Sequence, residues 1–88
     1  MPDPMEIEKT GEFDKDTKKL TVKDKERLDK VVSEIAYSNK KGKQMHHLKD
    51  VFSIRFDNKR LVYRLIEKEN KLILLMLKSR EGVYAYLK

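Results

Sequence analysis

Arg55, Arg60 and Arg64 punctuate the stretch Arg55-Phe56-Asp57-Asn58-Lys59-Arg60-Leu61-Val62-Tyr63-Arg64. Its alternation of apolar and charged positions reads as strand, tight turn and strand. A two-residue turn at Asp57-Asn58 then sets Arg55 directly opposite Arg60. Like charges paired across a sheet cost stability, and such a pair becomes favourable around an anion, the alternative being a merely solvated strand face. Guanidinium stays charged and offers a planar fork of donors that matches phosphate oxygens. These residues therefore suit phosphate binding, and stabilisation of a phosphate that is reacting.

His46 and His47 are the groups that titrate near neutral pH, which makes them possible acid/base residues. No third ligand or orienting partner stands at motif spacing, so they define no metal site, and no cofactor is expected.

The elements that must position these side chains follow from periodicity. "MEIEKT" (5–10) alternates as a short strand, and "GEFDKDTKKL" sets Phe13, Thr17 and Leu20 on one side of a weakly amphipathic helix. Thr21 is an N-cap with Asp24 three residues on, and Leu28, Val31, Val32 and Ile35 form an apolar stripe; the spacing predicts a helix over 22–38. Asn39 and Gly42 stop it, and Lys40, Lys41 and Lys43 read as a solvated loop. From Val51 the period becomes two. Phe52, Ile54 and Phe56 share a side with Leu61, Tyr63 and Leu65; Val51, Ser53 and Arg55 share the other with Arg60, Val62 and Arg64. A turn at "EKEN" (67–70) leads into "KLILLMLK", apolar on both faces and so a central strand, and "GVYAYLK" reads as a short last strand or tail. The expectation is an α+β fold in the order β-α-α-β-β-β, a small antiparallel-dominated sheet with two helices on one face and the cations on the other.

Eighty-eight residues make one small domain, 1–88. At 39% hydrophobic and 41% charged, with the apolar residues in patterned segments, the chain folds rather than remaining disordered. It has no cysteine, which excludes disulfides and thiolate chemistry. The start lacks the apolar core of a signal peptide, and the apolar run Leu72 to Leu77 is too short to span a bilayer, so a cytoplasmic protein with no membrane partner is expected. Net charge is +6. Residues 1–50 hold 12 Lys+Arg against 11 Asp+Glu, whereas residues 51–88 hold 9 against 4. The excess lies on the second half and favours a polyanionic or acidic partner.

In this order, "FDKDTKKL", "KERLDKVVSEIA", "MHHLKDVFSIRF", "KRLVYRL" and "LKSREGVY" resemble the RelE/ParE superfamily of toxins from toxin–antitoxin pairs. The most specific pieces are Arg60-Leu61-Val62-Tyr63 and the terminal Arg80-x-x-Val83-Tyr84. The resemblance covers nearly the whole chain. It implies a compact toxin silenced by a cognate antitoxin. In the RelE-like branch the toxin enters the ribosomal A site and cuts messenger RNA; in the ParE-like branch it poisons DNA gyrase without nuclease activity. An inactive antitoxin-binding remnant would keep the core and lose the cations.

Cutting RNA through its own 2′-hydroxyl needs a base for that hydroxyl, cations for the crowded phosphate and an acid for the leaving oxygen. By resemblance Arg60 matches the arginine that RelE-like and YoeB-like nucleases direct at the transferred phosphate. Arg55 matches a basic residue on the preceding strand, Tyr84 the tyrosine that stacks on a base or helps proton transfer, and Arg80 the arginine four residues before it. Lys78, Arg64 and Lys59 are further cations for RNA phosphate. Two positions depart from the pattern: Ser53 stands where RelE carries a lysine, and Lys43 near where YoeB carries its glutamate base. The general base is thus not assigned by resemblance.

Overall fold

A computed structural model describes residues 4–38, 40–45 and 48–87. Strand β1 (Glu6–Lys9) is followed by helices α1 (Gly11–Thr17) and α2 (Val22–Ser38). Strands β2 (Lys43–Gln44), β3 (Val51–Phe56), β4 (Lys59–Ile66) and β5 (Lys71–Lys78) come next, then helix α3 (Arg80–Leu87). The five strands form one sheet in the order β1-β5-β4-β3-β2. Its pairings are antiparallel except for β1 with β5, which is parallel. The α+β class and the antiparallel-dominated sheet are as the sequence predicts.

Local chemistry explains the first half. The Thr21 hydroxyl accepts from Asp24 N–H (3.1 Å), the cap expected for α2, and Leu28, Val32, Ile35 and Ala36 are buried along its inner face. With Phe13 of α1 they pack on Phe52, Phe56, Leu61, Tyr63, Leu65, Leu72, Leu74 and Leu77 to form the main core. β1 covers β5 only from Lys71 to Leu74, and α1 takes over the exposed edge beyond. Thr10 caps α1 by accepting from Phe13 N–H (3.1 Å) and donates its own hydroxyl to the Leu75 carbonyl (2.7 Å), while Asp16 accepts from Leu77 N–H (3.1 Å). Backbone groups that an edge strand leaves open are satisfied this way.

Three expectations are corrected. The segment 82–87 is neither strand nor tail. Its alternation is outweighed by Ser79, whose hydroxyl accepts from Gly82 N–H (3.1 Å) and whose carbonyl accepts from Val83 N–H (2.9 Å), starting α3. The second sheet face is therefore not purely cationic. Val83, 1% exposed, packs with Val51, Val62 and Met76 into a second small core bordered by Met45, Leu48 and Leu75. The loop expected around Lys43 contains β2, which pairs with β3 although two residues carry no period.

The β2 approach is tightly fixed. Buried Tyr63 donates its hydroxyl to the Lys40 carbonyl (2.8 Å) and accepts from Gly42 N–H (2.8 Å). Burial pushes that phenol's pKa up, so it stays protonated and able to donate. A Cβ on Gly42 would overlap the Ser53 carbonyl. Gly42→Ala is accordingly expected to cost about 1–3 kcal/mol, as overpacking does. Urea unfolding checks this; an unchanged midpoint would mean that the strand gives way freely.

Candidate functional site

The β3–β4 register pairs Arg55 with Arg60 across the Asp57-Asn58 turn, as the sequence predicts, and Arg60 in turn faces Lys78 of β5. Asp57 holds the turn with φ 54°, a left-handed conformation that Asp tolerates better than most residues. Its carboxylate faces α2, where Arg27 grips it with two bonds (2.7 and 3.0 Å) while lying 5.1 Å from the centre of the Phe56 ring. The Arg27 bond keeps the Asp57 carboxyl below its ordinary pKa. The acid of the turn is thus already committed, and Arg55 reaches only its backbone carbonyl (Nε to O, 3.2 Å).

Between β2, β3, β4 and α3 lies a cleft of about 520 Å³, lined by Lys43, Gln44, Met45, Leu48, Ser53, Arg60, Arg80, Val83, Tyr84 and Leu87. It brings together three of the sequence-predicted site residues, Arg60, Arg80 and Tyr84. The Arg80 guanidinium lies 5.8 Å from the Tyr84 ring centre, and Tyr84 is 54% exposed, which leaves it available to stack on a flat partner. Met45, Leu48, Val83 and Leu87 give the cleft an apolar lining beside its cations. A second groove of about 430 Å³ on the helix side, between Ile7, Phe13, Leu28 and Val32, contains no arginine.

The other predicted residues separate from this group. Arg55 is exposed beside Arg60 on the same sheet face, at the rim rather than in the lining. Arg64, opposite Val51, is exposed farther along that face. Lys59 pairs with Phe56, so alternation turns it toward the helix-packed side, away from the cleft, which corrects its expected place among the cations for RNA phosphate. Lys78 is corrected as well: its ammonium is bound by Glu12 and by Asp16 (2.9 Å), and it lies 5.4 Å from the Tyr86 ring centre. Those carboxylates raise its pKa and occupy the charge that a phosphate would need. His46 and His47 lie outside the described residues.

Among the described residues, ion pairs engage Arg27, Lys40, Lys41, Lys71 and Lys78. The cations that line the cleft, Arg60, Arg80 and Lys43, are in none of them. Sequence reasoning missed Lys43, because a run of three lysines reads as solvent-facing until the partners of its neighbours are known.

A five-stranded sheet with two helices on one face and one on the other defines a fold class, and solved structures match it. By sequence the chain matches no family profile and no curated protein. The match to a mutant form of the E. coli toxin RelE in the free state has a TM-score of 0.78 at 19% identity, covering 97% of this chain and 93% of that one. The RelB–RelE antitoxin–toxin complex from Methanococcus jannaschii gives 0.71 at 19% identity, with 92% and 99% covered. A metal-bound toxin from Helicobacter pylori gives 0.66 at 25% identity, with 90% and 98% covered. The chain has the RelE toxin fold, as its sequence motifs implied.

Proposed function

We propose that this protein is the toxin of a type II toxin–antitoxin pair and acts as a ribosome-dependent endoribonuclease that cleaves messenger RNA in the A site and stops translation. The observation that carries this reading is the gathering of Arg60, Arg80 and Lys43, cations without ion-pair partners among the described residues, around one cleft with an exposed Tyr84. In the reaction the ribose 2′-oxygen attacks the adjacent phosphorus and loses its proton to a base, the bond to the 5′-oxygen breaks, and that oxygen takes up a proton. Arg60 and Arg80 supply charged donors to the phosphate oxygens as charge builds on them. Tyr84 offers its ring face to a base. Arg55, at the rim, holds a neighbouring phosphate.

Induction in cells, followed by mapping of messenger ends and of DNA integrity, tests the reading. Messages cut at the ribosome are the expected result. DNA breaks with intact messages would instead mark a ParE-like gyrase poison, and harmless expression would mark an antitoxin-binding remnant. A cognate antitoxin, with an acidic or amphipathic segment that masks the cationic face, is the expected protein partner, in keeping with the RelBE complexes among the matching structures. RNA held mainly through phosphates should weaken linearly in log K with log salt. A flat salt dependence in a titration would remove the phosphate contacts from the account.

A further inference from the structure

We infer that Lys43 is a third phosphate-contacting residue of the cleft, held in place by Tyr63, and that it meets the phosphate next to the one the arginines grip. The inference rests on the RNA-cleaving reading and adds to it a residue that neither motif nor resemblance assigned.

Register places Lys43. Its Cα partner is Ser53, and residues directly opposite on antiparallel strands project to the same side. Ser53 shares its side with Arg55 and Arg60, so Lys43 rises from the cleft face of the sheet. Met45 continues the pattern, its N–H bonded to the Val51 carbonyl (2.9 Å) and its side chain in the second core beside Val51.

Charge sets Lys43 apart from its neighbours. Lys40 pairs with Glu34 (3.6 Å) and Lys41 with Glu67 (2.6 Å), while Lys43 forms no ion pair among the described residues and lines the cleft. A merely solvated lysine would also need no anchoring. Here the two bonds from the buried Tyr63 hydroxyl, to the Lys40 carbonyl and from Gly42 N–H, fix the backbone immediately before Lys43. Gly42 lies so close to Ser53 that no side chain fits between them. Tyr63 is thus a positioning residue, acting through the backbone it holds.

Geometry then sets which phosphate Lys43 meets. Arg60 comes from a central strand, Arg80 and Tyr84 from the helix wall, and Lys43 from the edge strand. Cations on several walls of one groove, with an aromatic face beside them, track a polynucleotide backbone while its bases stack. Arginine forks grip the phosphate between them, and the compact lysine ammonium meets the next one as a point charge.

Binding of a labelled single-stranded RNA oligonucleotide across a salt series, beside messenger cleavage on programmed ribosomes, tests this. Lys43→Ala should flatten the slope of log K against log salt by about 0.7, the share of one single-strand phosphate contact. Lys43→Arg should keep the parental slope, and Lys40→Ala and Lys41→Ala should leave it unchanged. Tyr63→Phe should weaken binding when Lys43 is present and have little further effect in a Lys43→Ala background, a coupling that general loosening of the fold would not produce. Thermal unfolding of each variant checks that it is folded. Lys43→Ala matching the Lys40 and Lys41 variants, or a parent chain that does not bind the oligonucleotide, overturns the assignment. A parent that leaves messages whole overturns the cleavage reading, and the salt slope still decides the role of Lys43.

Discussion

Arg60→Ala should abolish messenger cleavage while leaving the protein folded and able to bind its antitoxin. Arg60 lies opposite Arg55 on one side and Lys78 on the other, so three cations share one row of the sheet. Lys78 is neutralised by Glu12 and Asp16, whereas the acid beside Arg55, Asp57, is committed to Arg27. Removing Arg60 therefore relieves repulsion and should leave stability unchanged or slightly raised. Catalysis should move the other way, because a donor aimed at developing charge typically contributes about 3 kcal/mol, a rate loss of roughly a hundredfold or more. Arg60→Lys should recover only part of the rate, since a point charge does not reproduce the two-pronged grip. Cleavage on programmed ribosomes beside thermal unfolding separates the outcomes. A variant that cuts at the parental rate, or one inactive only because it unfolds, would remove Arg60 from the mechanism.

Much of this arrangement is legible in the sequence wherever the signal is local. The period of two through Val51–Phe56 and Lys59–Ile66 gives the hairpin register, because a slip by one residue would bury Arg60 and expose Leu61. Thr21 and Asp24 mark the start of α2 because capping involves residues three apart. The missed α3 also left a trace. "KLILLMLK" is apolar on both faces, so something had to cover the face opposite α1 and α2. The segment after Ser79 was the remaining piece of chain, and Val83 is what it contributes.

The site was less legible because it depends on which charges are already spent. Arg80 and Tyr84 follow from family motifs and Arg60 from the hairpin register as well, and the fold brings the three to one cleft. Nothing local distinguishes Lys43 from Lys40 and Lys41, whose acids lie in α2 and just after β4. The same blindness made Lys78 look available: its carboxylates are 66 and 62 residues away in sequence. Side-chain alternation alone would have turned Lys59 away from the cleft, so that assignment was correctable from the sequence.

Lys78→Met should destabilise the fold without removing the chemistry, the reverse of Arg60→Ala. The Lys78 side chain is 20% exposed and lies between Glu12 and Asp16, themselves 22% and 11% exposed. Methionine keeps the apolar stem but leaves two carboxylates facing each other on one side of α1, four residues apart. Breaking a fully buried ion pair costs roughly 3–5 kcal/mol; with part of this cluster in water, about 2 kcal/mol is expected. For a chain of this length that lowers the midpoint by roughly 8–16 °C. Adding Glu12→Gln should restore part of the loss, because it removes one of the stranded charges. The pH dependence has a definite sign. Glu12 and Asp16 raise the Lys78 pKa above its ordinary 10.5, so its contribution is complete below that pH and is lost as pH rises through the folded value. The parent should therefore lose this increment in alkali, and Lys78→Met should lack that loss. Below its unfolding midpoint Lys78→Met should cut messenger about as fast as the parent. A variant with parental stability but impaired cleavage would return Lys78 to the phosphate site and overturn its assignment as the clamp between α1 and β5.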